Sequence, residues 1–476
     1  MPTGKRAKAL MTAGFVAVGS TAFAGTAQAQ STEQLLRMIQ DLNAKVESLN
    51  EQVQTATIKA DAADTKAAAA QKNAGGDAKF KWGPSPTFQS ADGKFEMHVR
   101  GRLLADFGTV NDSAKKQDRT ATEFRAARLG IEGKAWKDVK YKFEIDFATN
   151  EVDITDAYLE YAGWKPFYIL VGNAKTPNSL EELTSSRHTS LVERGGFTDA
   201  FNFERRLGIQ AGWVGDWMRV DAAFTGAVLG SPDENFNDEG YAMGARIAAY
   251  PKIGEDALIH VGASVLYRNL KNDINLMESR YRQRPHSHLS GIRYVDTNTL
   301  DATSDLFVGV ELAGVFGPFW AESEWSWLKV RGLTGFPENS ATFQGGYFGV
   351  GWYITGEQRG YDEGGWDRIK KVNNPVFDGG WGAWAITARV DYLDLNDSFG
   401  SGGCVTAASG ICGGTQLTYI LGVNWHLNRH VMMKFNYAHA QIKNAWDNIG
   451  DVYPVGHPKA GKNSVDSFVA RFQVDW

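Results

Sequence analysis

The chain has 476 residues, with 50 Lys+Arg against 55 Asp+Glu, 52 Gly, 57 aromatics and 2 Cys. A formal charge of -5 excludes a polycation built to coat nucleic acid. A mean hydropathy of -0.33 excludes a helical membrane protein of many spans. Two cysteines exclude a disulfide framework and a multi-Cys zinc site.

At the N-terminus, Lys5, Arg6 and Lys8 precede an apolar stretch, and Ala27-Gln28-Ala29 forms an A-x-A site. Residues 1–29 are therefore predicted to be a secretory signal peptide, leaving a mature chain from Gln30. Leu35, Ile39, Leu42, Val46, Leu49 and Val53 then recur in steps of four and three. That spacing predicts a coiled-coil segment over 30–76, with Leu at d and Ile or Val at a, a choice that formally favours two strands. An amphipathic helix lying on its own protein is the alternative. Gly75-Gly76 ends the segment, and 77–94 reads as a linker.

From 95 to 476 the period is two. Val99, Gly101, Leu103, Ala105 and Phe107 alternate with His98, Arg100, Arg102 and Asp106. Tyr141, Phe143, Ile145 and Phe147 likewise alternate with Lys140, Lys142, Glu144 and Asp146. Such runs extend to about nine or ten residues, the length that crosses a bilayer at a tilt, whereas strands of soluble proteins average about five or six. Charged residues facing a water-filled lumen and apolar residues facing lipid satisfy both halves of the pattern. Sixteen segments fit, near 98–107, 125–134, 139–147, 153–161, 167–174, 205–213, 217–226, 241–250, 258–268, 305–314, 319–329, 345–355, 381–394, 416–427, 430–440 and 465–476. The predicted fold class is all-β, a 16-stranded antiparallel transmembrane β-barrel. With the N-terminus periplasmic the inside turns are short, except one at about 356–380. Cys404 and Cys412 fall in a Gly-rich outside loop of an exported chain, where a loop-stapling disulfide is expected.

Several long stretches, VRGRLLADF at 99–107, EFRAARLGIEGKAWKDVKYKFEIDF at 123–147, SLEELTSSRHTSLVERGGF at 179–197, ITGEQRGYDEGGWDRIKKV at 354–372 and ARVDYLDLND at 388–397, resemble the phosphate-selective porin O/P family. The resemblance covers about 95–476. It implies a homotrimer of barrels in outer-membrane lipid, each narrowed by a third external loop, here about 175–204, and lined with Arg and Lys. Its anion-site positions fall on Arg102, Arg125, Lys140, Ser185, Ser186 and Arg194. The Arg pair of strand 2 is half kept, since Ala126 follows Arg125, and the Lys expected in the inward loop is Glu182. Arg128 and Lys175 stand where the phosphate specialists carry aromatics, and Arg187 joins the expected constriction cluster. The terminal aromatic, usually Phe in such barrels, is Trp476.

Assigning faces by period two puts thirteen basic and twelve acidic groups in the lumen, bases on strands 1–3 and 6–9 and acids on strands 3–4 and 10–11. Such opposed walls favour polar solutes and give modest ion selectivity. His286 and His288 form an H-x-H pair in a basic outside loop, read as a solvated surface, an anion lure folded into the lumen, or, less simply, a metal site. No H-E-x-x-H, G-x-S-x-G or P-loop is present, so neither an enzyme nor a cofactor is expected. The expected function is passive diffusion of small anionic or polar solutes, with preference for anions including phosphate. The alternative is a plugged structural barrel tethered through its coil to a periplasmic partner.

Overall fold

The computed structural model describes residues 32–73, 78–113, 117–148, 151–226, 228–229, 240–270, 279–398, 410–443 and 463–476, in two units, one up to Gly75 and one from Gly76. The signal-peptide segment 1–29 and Cys404 lie outside the described residues. In the first unit one helix, α1 (Thr32–Asn73), carries the heptad residues. Ile39, Leu42, Val46, Leu49 and Val53 are 52–62% exposed along it and form an apolar seam.

In the second unit sixteen long strands form the barrel. They are β1 (Glu96–Asp112), β2 (Asp118–Ala135), β3 (Val139–Asp146), β4 (Asp153–Tyr161), β5 (Phe167–Lys175), β6 (Arg205–Val214), β7 (Met218–Thr225) and β8 (Ala242–Ala249), then β9 (Ala257–Asn269), β10 (Ser304–Phe316), β11 (Phe319–Arg331), β12 (Ser340–Tyr353), β13 (Ala383–Ser398), β14 (Gly410–His426), β15 (Val431–Lys443) and β16 (Asn463–Asp475). Each pairs antiparallel with the next, and β16 returns to β1 from Val465↔Asp112 to Asp475↔Arg102, so no edge stays open. At that seam Gly101 and Trp476 exchange backbone hydrogen bonds of 3.1 Å, and a Cβ on Gly101 would collide with the Trp476 indole.

Alternation predicted the sixteen strands but shortened several. The predicted strand 98–107 is in fact Glu96–Asp112, and 416–427 is Gly410–His426, because the ladders continue past the apolar band at the long-loop end. Phe107, Leu129, Val261, Val310, Leu312 and Leu421 face outward and exposed, while Arg102, Asp106, Glu144, Arg389 and Arg471 face inward and buried. This inversion of a soluble core is what a lipid solvent requires.

Among the described residues, three connections fold into the lumen. Between β5 and β6 the chain runs inward through two short helices, α2 (Leu180–Leu183) and α3 (Gly196–Ala200). Residues 279–303, between β9 and β10, bury Tyr281, Leu289, Tyr294 and Val295 against Phe197 and Phe201, so the long-loop half of the barrel holds an apolar core of its own. From the short-turn end, 354–382 folds in and packs Trp366, Ile369 and Val372 around Leu180 and Trp320.

Candidate functional site

Among the described residues, a cavity of about 590 Å³ lies inside the barrel between the inward loop and the β1–β7 wall. Twelve Lys and Arg side chains line it against five Asp and Glu. This cavity is more basic than the near-neutral lumen wall as a whole that face counting gives. The acids of β10 and β11 are buried and paired, Glu322 and Glu324 with the folded-in segments and Glu311 with the barrel wall. Glu324 accepts the Leu180 and Glu181 amides at 2.9 Å, Glu322 binds Arg359 at 3.0 Å and Ser190 at 2.8 Å, and Glu311 binds Arg246 at 2.6 Å. Those carboxylates hold the loops and the opposite wall, while the bases of β1–β3 line the cavity with carboxylate partners of their own.

On that wall one buried carboxylate organises three guanidinium groups. Glu144 accepts Arg100 at 3.0 Å, Arg102 at 3.1 Å and Arg128 at 3.2 Å, and Asp146 takes Arg128 at 2.7 Å. Glu132 pairs with Arg100 as well. Arg102 also reaches across to the inward loop, donating to Ser186 at 3.0 Å and Ser185 at 3.3 Å. Thus Arg102, Arg128, Ser185 and Ser186 converge at the narrowing. Arg187 adjoins them, paired with Asp475 at 3.4 Å.

Arg125 arrives by a different route. Odd positions of β2 such as Ala127, Leu129 and Ile131 face outward, so strict alternation would turn Arg125 to lipid. A register shift pairs Leu104 with Ala126 but Ala105 with Phe124, leaving Arg125 as the extra residue of a bulge. Its side chain lines the cavity 3.9 Å from Glu193. Bulges re-aim side chains in this way. Thr155 is the extra residue of a second bulge, where β4 faces Glu144, and its hydroxyl contacts that carboxylate at 3.2 Å.

Lys175 and Glu182 both line the cavity and pair at 3.0 Å, and Arg194 stands 3.8 Å from the same carboxylate. Burial opposes ionisation of Glu182, yet Lys175 and Arg194 outweigh it and hold the carboxyl below its ordinary range. Of the cluster expected from sequence, Lys140 does not join. It lies at the short-turn rim, 60% exposed and bonded to Glu160 at 2.7 Å, while Lys142, one inward position further up β3, takes the place on the cavity wall.

Sequence reasoning did not place the roof. Arg284, His286 and His288 line the cavity from the segment 279–303, and His288 is tied to Glu123 at 2.7 Å. Of the readings left open for this loop, the lumen-folded one describes its position. Among the described residues no group of His, Cys, Asp and Glu has the arrangement of a metal site. Cys412 is disulfide-bonded, and its expected partner Cys404 lies outside the described residues.

A closed barrel of sixteen antiparallel strands with its third external connection folded into a charged lumen defines a porin of the bacterial outer membrane. The sequence profile described as "Phosphate-selective porin O and P" matches residues 97–476, and the chain belongs to that family. It is 33% identical over 377 residues to an uncharacterized protein of Caulobacter vibrioides, covering 77% of this chain and 72% of that one. To Porin O of Pseudomonas aeruginosa it is 25% identical over 412 residues, covering 81% and 89%. The anion-selective porin of Comamonas acidovorans shares the fold, with a TM-score of 0.50, 12% identity and coverage of 80% and 99%.

Proposed function

We propose that the protein is a passive diffusion channel that prefers small anions, phosphate among them, over cations. One observation carries the reading. The cavity inside the barrel is lined by twelve Lys and Arg against five carboxylates, with Arg102, Arg125 and Arg128 among them. A cavity whose fixed charges are mostly of one sign concentrates the opposite ion, and water in it keeps binding weak enough for release. The barrel works as a homotrimer, and the exposed seam of α1 brings three copies together on the periplasmic side. Purified protein in planar bilayers tests the channel. Stepwise, mostly voltage-independent conductance is expected, and a membrane that stays silent after incorporation would instead support a plugged structural barrel.

A further inference from the structure

The inward loop is held by a rung of three side chains in register across β14, β15 and β16, the strands that follow on from the basic wall through the β16–β1 seam. Asn424 lies opposite Lys434, and Lys434 opposite Arg471. Together they bind consecutive backbone groups of one loop segment. Asn424 donates to the Ser190 carbonyl at 2.8 Å, Lys434 to the Thr189 carbonyl at 2.7 Å and the Leu191 carbonyl at 3.4 Å, and Arg471 to the Val192 carbonyl at 2.8 Å. One row higher, Asn436 accepts the Val192 amide at 2.6 Å.

Lys434 is the unusual member. It is fully buried and does not line the cavity, and among the described residues no carboxylate lies within 4.0 Å of its ammonium. Its three acceptors are neutral oxygens of the loop, the third being the Thr189 hydroxyl at 3.1 Å. A buried charge is costly unless its donors are satisfied, and here only the loop satisfies them. Barrel closure does not need this group, because β14, β15 and β16 are joined by continuous ladders and Leu191, Ile420 and Ala438 already form an apolar cluster nearby. The tethered segment lies between Ser185 and Ser186, which meet Arg102, and Glu193 and Arg194, which meet Arg125 and Glu182. Holding residues 189–192 therefore sets the position of both sides of the narrowing.

We infer that Lys434 is a positioning residue of the constriction, a clamp that keeps residues 189–192 on the β14–β16 wall and stops the inward loop from swinging further into the ion path. This rests on the reading of the protein as an open channel but not on which ion it prefers. The test compares full-length wild type with Lys434→Met and, as a second variant should the first fail to fold, Asn424→Leu. Both are expected to keep heat-modifiable migration, the sign of a folded barrel. In planar bilayers in KCl, brief closures should become about tenfold more frequent, and amide exchange over 189–192 should quicken about tenfold while β14–β16 stay protected, the scale of one lost charged hydrogen bond. Wild-type exchange in a folded variant overturns the clamp. Faster exchange with currents as quiet as the wild type also overturns it, since the loop would then be freed without consequence for the pore. A reversal potential that showed no anion preference would sink the selectivity reading and leave this comparison intact.

Discussion

Glu182→Gln isolates the charge that most directly opposes anion binding. Resemblance to the family makes Glu182 a charge reversal in the inward loop, and on charge alone Glu182→Lys would count twice as much as Glu182→Gln. Its geometry changes that expectation, because the carboxylate sits 3.0 Å from Lys175 and 3.8 Å from Arg194 and compensates both. The amide variant leaves two cations on the cavity wall without a counter-charge, whereas Glu182→Lys places a third cation against them and drives the loop outward. At about 4 Å and an effective dielectric near 20, one removed charge is worth on the order of 4 kcal/mol to a passing anion. Water and mobile ions in the open lumen reduce this to roughly 1–2 kcal/mol, about tenfold in affinity. Phosphate block of chloride current in single channels reads it directly. Glu182→Gln is expected to lower the half-blocking phosphate concentration by about tenfold, and Glu182→Lys to do less than twice that in free energy with noisier currents. Wild-type block in the amide variant would refute the reasoning and move the anion-binding groups to the strand walls.

Other consequences follow from the same geometry. Arg125→Ala should reduce the anion-to-cation permeability ratio on the order of threefold, while Lys140→Ala, at the exposed rim, should leave it nearly unchanged; equal effects would contradict the placement of the two residues. Acid should loosen the inward loop. Burial alone would favour the protonated forms of Glu182 and Glu193, but Lys175 and Arg194 for the first, and Arg125 and Arg471 for the second, hold both below the ordinary value of 4.5. Their contribution to loop docking is thus complete above pH 4.5 and is lost as the pH falls below it. Frequent closures should appear only in that acid range, and their onset already near pH 6 would point to other groups. Deleting 31–76 should lower the temperature at which trimers dissociate on gels; trimers as heat-resistant as the full chain would show that the barrel interface alone suffices.

Strand number and facing were legible in the sequence because lipid on one side and water on the other impose a period of two over runs such as 139–147. The content of the lumen was less so. Face counting weighted Glu311, Glu322 and Glu324 equally with Arg102 and Arg128, since nothing local tells a carboxylate that will meet a folded-in loop from one that will meet water. Arg125 shows the limit of periodicity itself. Its parity points to lipid, and a bulge created by pairing with β1 turns it inward, so resemblance to the family identified it where alternation could not. Lys140 failed for the opposite reason, as the right parity placed it one step too near the rim. The histidines at 286 and 288 and the role of Lys434 depend on where long connections come to rest, which no short-range pattern encodes.

The reversal potential of the wild-type channel in a KCl gradient reports which ion the basic cavity favours. With the carboxylates of β10 and β11 buried against loops and the opposite wall, and twelve Lys and Arg lining the cavity, the sign should be that of chloride carrying more current than potassium. A clear cation preference would contradict the account, because it would mean that the basic cavity is not the path the ions take.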